Sequence, residues 1–91
     1  MRIVWSSAAW TDLDRFHAFL AEHDIDAADQ IFDRLANAPE ALTSFPRRGP
    51  RLSEFEAREV RELRVGRYLL RYELREAEIV VLRLFHVRED R

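Results

Sequence analysis

The chain has 91 residues, of which 47% are hydrophobic and 11% aromatic, enough for one small domain with its own core despite 35% charged residues. It contains no cysteine, which excludes disulfides, thiolate zinc sites and a cysteine nucleophile. No apolar run approaches the roughly 20 residues of a membrane-spanning helix, and no signal-type apolar block follows Met1-Arg2. We therefore expect a single domain, residues 1–91, in the cytoplasm and without a membrane partner.

The net charge of −2 conceals an uneven distribution along the chain. Residues 1–45 carry three arginines against eight acids, a net charge of −5, whereas residues 46–91 carry twelve arginines against nine acids, a net charge of +3. All fifteen basic residues are arginine, whose planar guanidinium suits phosphate and carboxylate groups. A GC-rich genome would produce the same bias without any functional cause.

The first half of the chain predicts a strand and two helices. Arg2–Trp5 is β-branched and aromatic, and the serines that follow are good N-cap residues for a helix that reaches about Glu22. A second helix is expected to start at Asp26, which forms a capping pair with Asp29. Pro39 lies inside the apolar pattern of this helix and predicts a kink or break near residue 37. A short linker between the helices favours an antiparallel hairpin.

The second half predicts three strands after a loop. The Pro/Gly cluster at 45–51 ends the helical periodicity, and strand-like runs follow at about 57–65, 68–75 and 79–87. Two short turns of hairpin length separate these runs and favour an antiparallel meander. The predicted fold is therefore α+β, in the order β-α-α-β-β-β: a short N-terminal strand and an α-helical hairpin packed on an antiparallel β-sheet.

Residue alternation predicts which strand faces are buried. The middle run alternates between a buried face and a largely wet one; the buried set is Tyr68, Leu70, Tyr72 and Leu74, and the wet set is Leu69, Arg71, Glu73 and Arg75. The last run is apolar on both faces, which is typical of a central strand; one face holds Val80, Leu82 and Leu84, and the other Ile79, Val81, Phe85 and Val87.

Arginines recur throughout the strand half, and two interpretations of them stay open. They could form a surface for a phosphate backbone or an acidic partner, or they could pair with glutamates across an exposed sheet face. Arg83 lies in the most apolar strand, where a buried guanidinium needs a partner; an ion pair with Glu62 or another strand glutamate is favoured over a ligand site. The candidate partner-binding residues are Arg61, Arg64, Arg67, Arg71, Arg83, His86 and Arg88.

The end of the last strand is the one place where acid–base chemistry can be considered. His86 could exchange a proton near neutral pH, and Arg88 could stabilise negative charge beside it, although a histidine near a chain end is more often a simple hydrogen-bonding residue. The three histidines have no metal-ligand spacing, and the two glycines form no phosphate-binding loop. No metal and no cofactor is expected.

The order of motifs resembles the RelE/ParE superfamily of toxins from bacterial type II toxin–antitoxin modules. The resemblance spans essentially the whole chain, and its motifs are RIVWSSAAWTDLDRFHAFL, FPRRGPRL, VRELRVGRYLLRYEL and IVVLRLFHVRED. It implies a helical hairpin on a sheet and a cognate antitoxin that wraps the toxin. RelE-like members are ribosome-dependent endoribonucleases that cut mRNA, whereas ParE-like members inhibit DNA gyrase and are not nucleases.

The resemblance also assigns candidate residues to each activity. Arg64 and Arg88 match the phosphate-stabilising arginines of RelE-like nucleases, and His86 lies near the catalytic histidine of some relatives. The lysines that RelE uses have no counterpart, and arginine cannot replace them as proton carriers because its pKa exceeds about 12. Arg61-Glu62-Leu63 and Leu82-Arg83-x-x-His86 are similar to ParE instead.

The sequence therefore favours a ParE-like toxin that inhibits gyrase and is neutralised by its antitoxin. One alternative is a RelE-like ribonuclease that acts on mRNA at the ribosome through Arg64, His86 and Arg88. Another is a non-toxic remnant that only binds its antitoxin.

Overall fold

The computed structural model describes residues 1–89, so that Asp90 of the closing motif and Arg91 lie outside the described residues. The elements follow the predicted order: β1 (Arg2–Trp5), α1 (Ser7–Ala21), α2 (Ile25–Asn37), a 3₁₀ helix (Ala38–Thr43), β2 (Glu59–Val65), β3 (Tyr68–Arg75) and β4 (Glu78–His86). The α+β prediction is confirmed, with the two helices packed on one face of the sheet.

The sheet has the strand order β1-β4-β3-β2. β2, β3 and β4 form the predicted antiparallel meander, in which Leu63 pairs with Leu70 and Leu70 with Leu84. β1 pairs in parallel with β4, so the complete sheet is mixed rather than purely antiparallel. A parallel pair requires a crossover connection, and the helical hairpin is the first part of it. β4 is central, as its two-sided apolar pattern predicted.

Local capping chemistry sets the helix ends. Ser6 caps α1 by accepting a hydrogen bond from the amide of Ala9. The expected cap of α2 at Asp26 is wrong: Asp24 is the N-cap and accepts from the amide of Ala27, because its backbone is extended while residue 26 is already helical. The break predicted from Pro39 is confirmed, since α2 ends at Asn37 and a 3₁₀ turn continues the chain.

A β-bulge in β4 corrects the predicted strand faces. Arg71 pairs with Arg83 but Tyr72 pairs with Val81, so Leu82 has no partner on β3. The extra residue reverses the alternation beyond it. Leu84 therefore joins the core with Ile79 and Val81 and does not share the face of Val80; Phe85 moves to the opposite side. The simple period-2 assignment is wrong from residue 83 onward.

The face of the sheet away from the helices is drier than its sequence predicted. Glu73 is only 6% exposed, because the guanidinium groups of Arg58 and Arg75 both bond to its carboxylate. Arg71 lies over the rings of Phe55 and Phe85 at 5.6 and 4.9 Å from their centroids. Arginine side chains thus cover this face.

The loop before β2 is fastened to the sheet by a buried tyrosine. The hydroxyl of Tyr72 donates to the carbonyl of Pro46 at 2.7 Å and accepts from the amide of Gly49 at 3.1 Å. A Cβ on Gly49 would lie 2.6 Å from the Glu62 carbonyl oxygen, so the loop approaches β2 too closely for any other residue. These contacts hold the loop along the outer edge of β2.

We predict that Tyr72→Phe destabilises the fold by about 1–3 kcal/mol, because the buried Gly49 amide loses its acceptor. Tyr68→Phe is the matched control: it removes the same atom from another buried tyrosine, whose hydroxyl has no hydrogen bond within residues 1–89. Urea unfolding measures both. Equal losses in the two variants would show that the hydroxyl of Tyr72 does not anchor the loop.

Candidate functional site

An ion pair connects the first helix to the bulge in β4. Nε and Nη2 of Arg83 donate to the two carboxylate oxygens of Asp12 at 2.7 and 3.0 Å, and the amide of Leu84 donates to the same carboxylate at 2.9 Å. The predicted ion pair exists, but two parts of that expectation are wrong. The partner is Asp12 instead of Glu62, and the bulge leaves the Arg83 side chain 45% exposed while Asp12 is 5% exposed. Hydrogen bonding to Asp12 raises the pKa of Arg83.

The C-terminal turn is folded back onto the same helix. Arg15 pairs with Glu89 at 3.3 Å, and it lies 3.8 Å from Asp12. Nδ1 of His86 accepts from the backbone amide of Arg88 at 3.2 Å, which shapes the turn after β4. The guanidinium of Arg88 is left exposed at the surface.

Two of the candidate arginines support the scaffold. Arg61 is 15% exposed, donates to the Gly49 carbonyl at 2.8 Å and pairs with Glu59 at 2.9 Å. Arg71, which lies over the rings of Phe55 and Phe85, pairs with Glu62 at 3.1 Å. Both belong to the arginine–glutamate pairing that the sequence left open as the alternative to a binding surface.

Arg64 and Arg67 lie at the β2–β3 hairpin and are exposed. The hairpin has a two-residue loop whose first residue, Gly66, has a φ of +61°, as a type II′ turn requires. Nε of Arg64 donates to the Gly66 carbonyl at 2.9 Å. Neither arginine pairs with a carboxylate within residues 1–89.

The structure separates the three candidate nuclease residues. His86 pairs in register with Tyr68, whose ring it meets edge-on at 5.2 Å on the helix side of the sheet. Arg64 pairs with Leu69 on the opposite side. His86 and Arg88 are neighbours, whereas Arg64 does not share their face.

A groove that sequence reasoning missed lies between the end of α2 and the edge of β2. Arg34, Arg48 and Arg64 line it, together with Leu63 and small apolar residues of the 3₁₀ segment. Arg34 and Arg48 come from two different elements and no spacing connects them. Only the tertiary structure shows that they lie together and that neither has a carboxylate partner within the described chain.

Within residues 1–89 no three potential metal-ligating side chains cluster. In the same part of the chain, no helix is long and apolar enough to cross a membrane. The exposed side chains of the described residues include cations, such as Arg64 and Arg88, and carboxylates, such as Asp14 and Glu76. The groove beside β2 is open to the surface, and the described residues form a small α+β protein with a helical hairpin on a mixed sheet.

Comparison with known proteins assigns the chain to a family. Residues 3–91 match the family described as "ParE toxin of type II toxin-antitoxin system, parDE". A solved structure titled "Chromosomal ParDE TA system from P. aeruginosa" has a similar fold, with a TM-score of 0.77, 21% identity, and coverage of 94% of this chain and 95% of that one. No curated protein matches. The chain belongs to the ParE family of type II toxins.

We predict that Asp12→Ala costs about 2–4 kcal/mol of unfolding free energy, because it leaves the Leu84 amide and the Arg83 guanidinium without their acceptor. Asp14→Ala, at an exposed position on the same helix, should change stability by less than about 0.5 kcal/mol. Chemical denaturation compares the two. A similar small change in both would contradict the structural role of the Asp12 contacts.

The pairing of Glu73 predicts a pH dependence of stability. Hydrogen bonding to Arg58 lowers the pKa of Glu73 below the ordinary glutamate value of 4.5. Because the folded pKa is depressed, this stabilisation is present above pH 4.5 and is lost as the pH falls through the folded pKa. Glu73→Gln should therefore be less stable than the wild type by about 1–3 kcal/mol at pH 7, and the difference should shrink toward pH 3.

The matched control is Glu76→Gln, an exposed change in the β3–β4 turn that should leave a small and constant difference. Urea unfolding at several pH values measures both variants. A Glu73→Gln deficit that is the same at pH 7 and pH 3 would contradict the assignment.

Proposed function

We propose that this protein inhibits DNA gyrase by direct protein–protein contact, blocks replication in the cytoplasm, and is neutralised by a cognate antitoxin. The observation that carries the proposal is the ParE family match over residues 3–91. Within that family assignment, the surface of the described residues supports action by contact, because its unpaired arginines lie at exposed positions, three of them along an open groove.

The positions of the candidate nuclease residues argue against the ribonuclease alternative. RNA cleavage needs an acid–base group and a phosphate-stabilising cation at one phosphate. The β2–β3–β4 register places Arg64 and His86 on opposite faces of the sheet, and Nδ1 of His86 is occupied by the Arg88 amide. Only Nε2 of this histidine is then free for a proton transfer.

The C-terminal turn is the part of the surface that best suits target binding. Arg88 is exposed on a turn that the Arg15–Glu89 pair and the His86 ring hold in place, so the backbone that carries its side chain is ordered before binding. Arginine is enriched among the hot-spot residues of protein interfaces. We propose Arg88 as a principal contact with gyrase.

The antitoxin is the second partner in this proposal. An acidic segment would complement the strand half of the toxin, whose net charge over residues 46–91 is +3. A disordered segment that folds on binding can cover a large surface of a small toxin. Binding of the antitoxin would then prevent the contact with gyrase.

We predict that induced expression stops DNA synthesis within minutes while protein synthesis continues, as measured by separate pulse labels. The purified protein should also inhibit gyrase supercoiling in vitro. Arg88→Ala should weaken that inhibition at least tenfold. It should leave the thermal midpoint unchanged, because the side chain is exposed. Arg51→Ala, at another exposed arginine, is the matched control.

Other results of the pulse-labelling experiment would support the ribonuclease or the non-toxic remnant instead. An early stop in translation with intact DNA synthesis would indicate the ribonuclease, and loss of RNA cleavage in His86→Ala would then assign the catalytic residue. No effect on either process would indicate a remnant that only binds its antitoxin.

A further inference from the structure

The arginines of this protein divide into two groups. Eight of the fourteen in residues 1–89 pair with carboxylates, and six do not. Half of the second group line a single groove: Arg34, Arg48 and Arg64. The others, Arg51, Arg67 and Arg88, lie outside it. Most arginines of the described residues thus form ion pairs, but three guanidinium groups without a carboxylate partner lie together in this groove.

The groove is large enough for several side chains, with a volume of about 530 Å³. Its lining includes Leu63 of β2 and, from the 3₁₀ segment, Ala38 and Ala41. At the hairpin end, the Arg34 guanidinium lies 2.9 Å from where a Cβ of Gly66 would be, and Arg64 bonds to the carbonyl of the same glycine. Apolar lining and cationic groups therefore occur together.

One side of the groove is an open strand edge. β2 is the last strand of the sheet, and residues 50–52 cover its first part through Leu52 N to Val60 O and Glu62 N to Pro50 O. Of residues 63–65, Arg64 is the one whose backbone N–H and C=O face outward, since Val60 and Glu62 use theirs on that side, and within the described chain neither group of Arg64 bonds to a segment there. An unpaired edge accepts an extended peptide by β-strand addition.

The chemistry of the groove favours a peptide over a nucleic acid. Asp33 also lines it. A peptide can place an uncharged residue beside this carboxylate, whereas a phosphodiester backbone carries a negative charge at every nucleotide. The apolar part of the lining makes no favourable contact with a phosphodiester backbone. It can bury an aliphatic side chain that lies between two acidic residues of a peptide. Guanidinium–carboxylate pairs provide the charge complementarity.

We propose that this groove binds an extended acidic segment of the antitoxin, with carboxylates on Arg34, Arg48 and Arg64, an apolar side chain on Leu63, and its backbone paired with the outward-facing backbone of Arg64 on β2. This inference rests on the proposed function, because it names the surface where neutralisation occurs. The groove includes the edge of β2, whereas the proposed gyrase contact at Arg88 follows β4, so the two surfaces are different.

The test measures binding of the product of the adjoining gene, by calorimetry, to wild type and to two double variants. R34Q/R48Q should weaken binding by about 10- to 100-fold, because it removes two charge-assisted contacts. R2Q/R51Q makes the same charge change at exposed arginines outside the groove and should stay within about twofold. Unchanged thermal midpoints confirm that both variants fold.

The outcomes distinguish whether the antitoxin binds at all from whether it binds in this groove. Tight binding that R34Q/R48Q weakens no more than R2Q/R51Q overturns the groove and leaves the toxin–antitoxin pairing intact. No binding by the wild type overturns the pairing and the groove with it. A 30-base-pair fluorescein-labelled DNA duplex is the second probe. If it binds the wild type and R34Q/R48Q abolishes that binding, the groove is a nucleic-acid site and the peptide assignment is wrong.

Discussion

The contact of Asp12 with the β4 bulge is the interaction on which the arrangement of this protein depends. β1 is only four residues long, so the edge of β4 beyond it has no strand neighbour on that side. Side chains replace the missing strand: Ser6 donates to the Leu82 carbonyl, and Asp12 accepts from the Leu84 amide. The bulge exposes the Arg83 guanidinium at this edge, where it neutralises the buried carboxylate. Helix, bulge and central strand are thereby joined.

A second constraint lies at the other edge of the sheet. The hydroxyl of Tyr72 and the guanidinium of Arg61 hold the loop around Gly49 against β2, and they satisfy the polar groups that such close packing would otherwise bury unpaired. This loop pairs with β2 only as far as Glu62 and leaves the strand edge beyond it uncovered. The covered and open parts of the β2 edge therefore follow from one anchored loop, which also brings Arg48 to the groove.

The arginine-rich composition has two physical roles in this molecule. On the sheet face away from the helices, Arg58, Arg71 and Arg75 act as the outer layer of a small core: they pair with glutamates and cover apolar atoms. Six other arginines within residues 1–89 have no carboxylate partner, and three of them line the groove. Both interpretations of the arginines that the sequence left open are therefore correct for part of the molecule. Arginines with carboxylates nearby form ion pairs, and the others are available to bind a partner.

Periodicity, capping residues and turn chemistry determined most of the fold, because they act over a few residues. The end of α2 before Pro39, the hairpin at Gly66 and the central position of β4 could all be predicted, and motif order indicated the family. The cap at Asp24 was missed because Asp26 offers a similar local pattern. The strand faces beyond Leu82, the Asp12–Arg83 pair and the grouping of Arg34 with Arg48 were decided only by the tertiary structure. Each depends on groups that are far apart in the chain; Asp12 and Arg83 are 71 residues apart. A local sequence pattern does not determine which distant side chain packs against it.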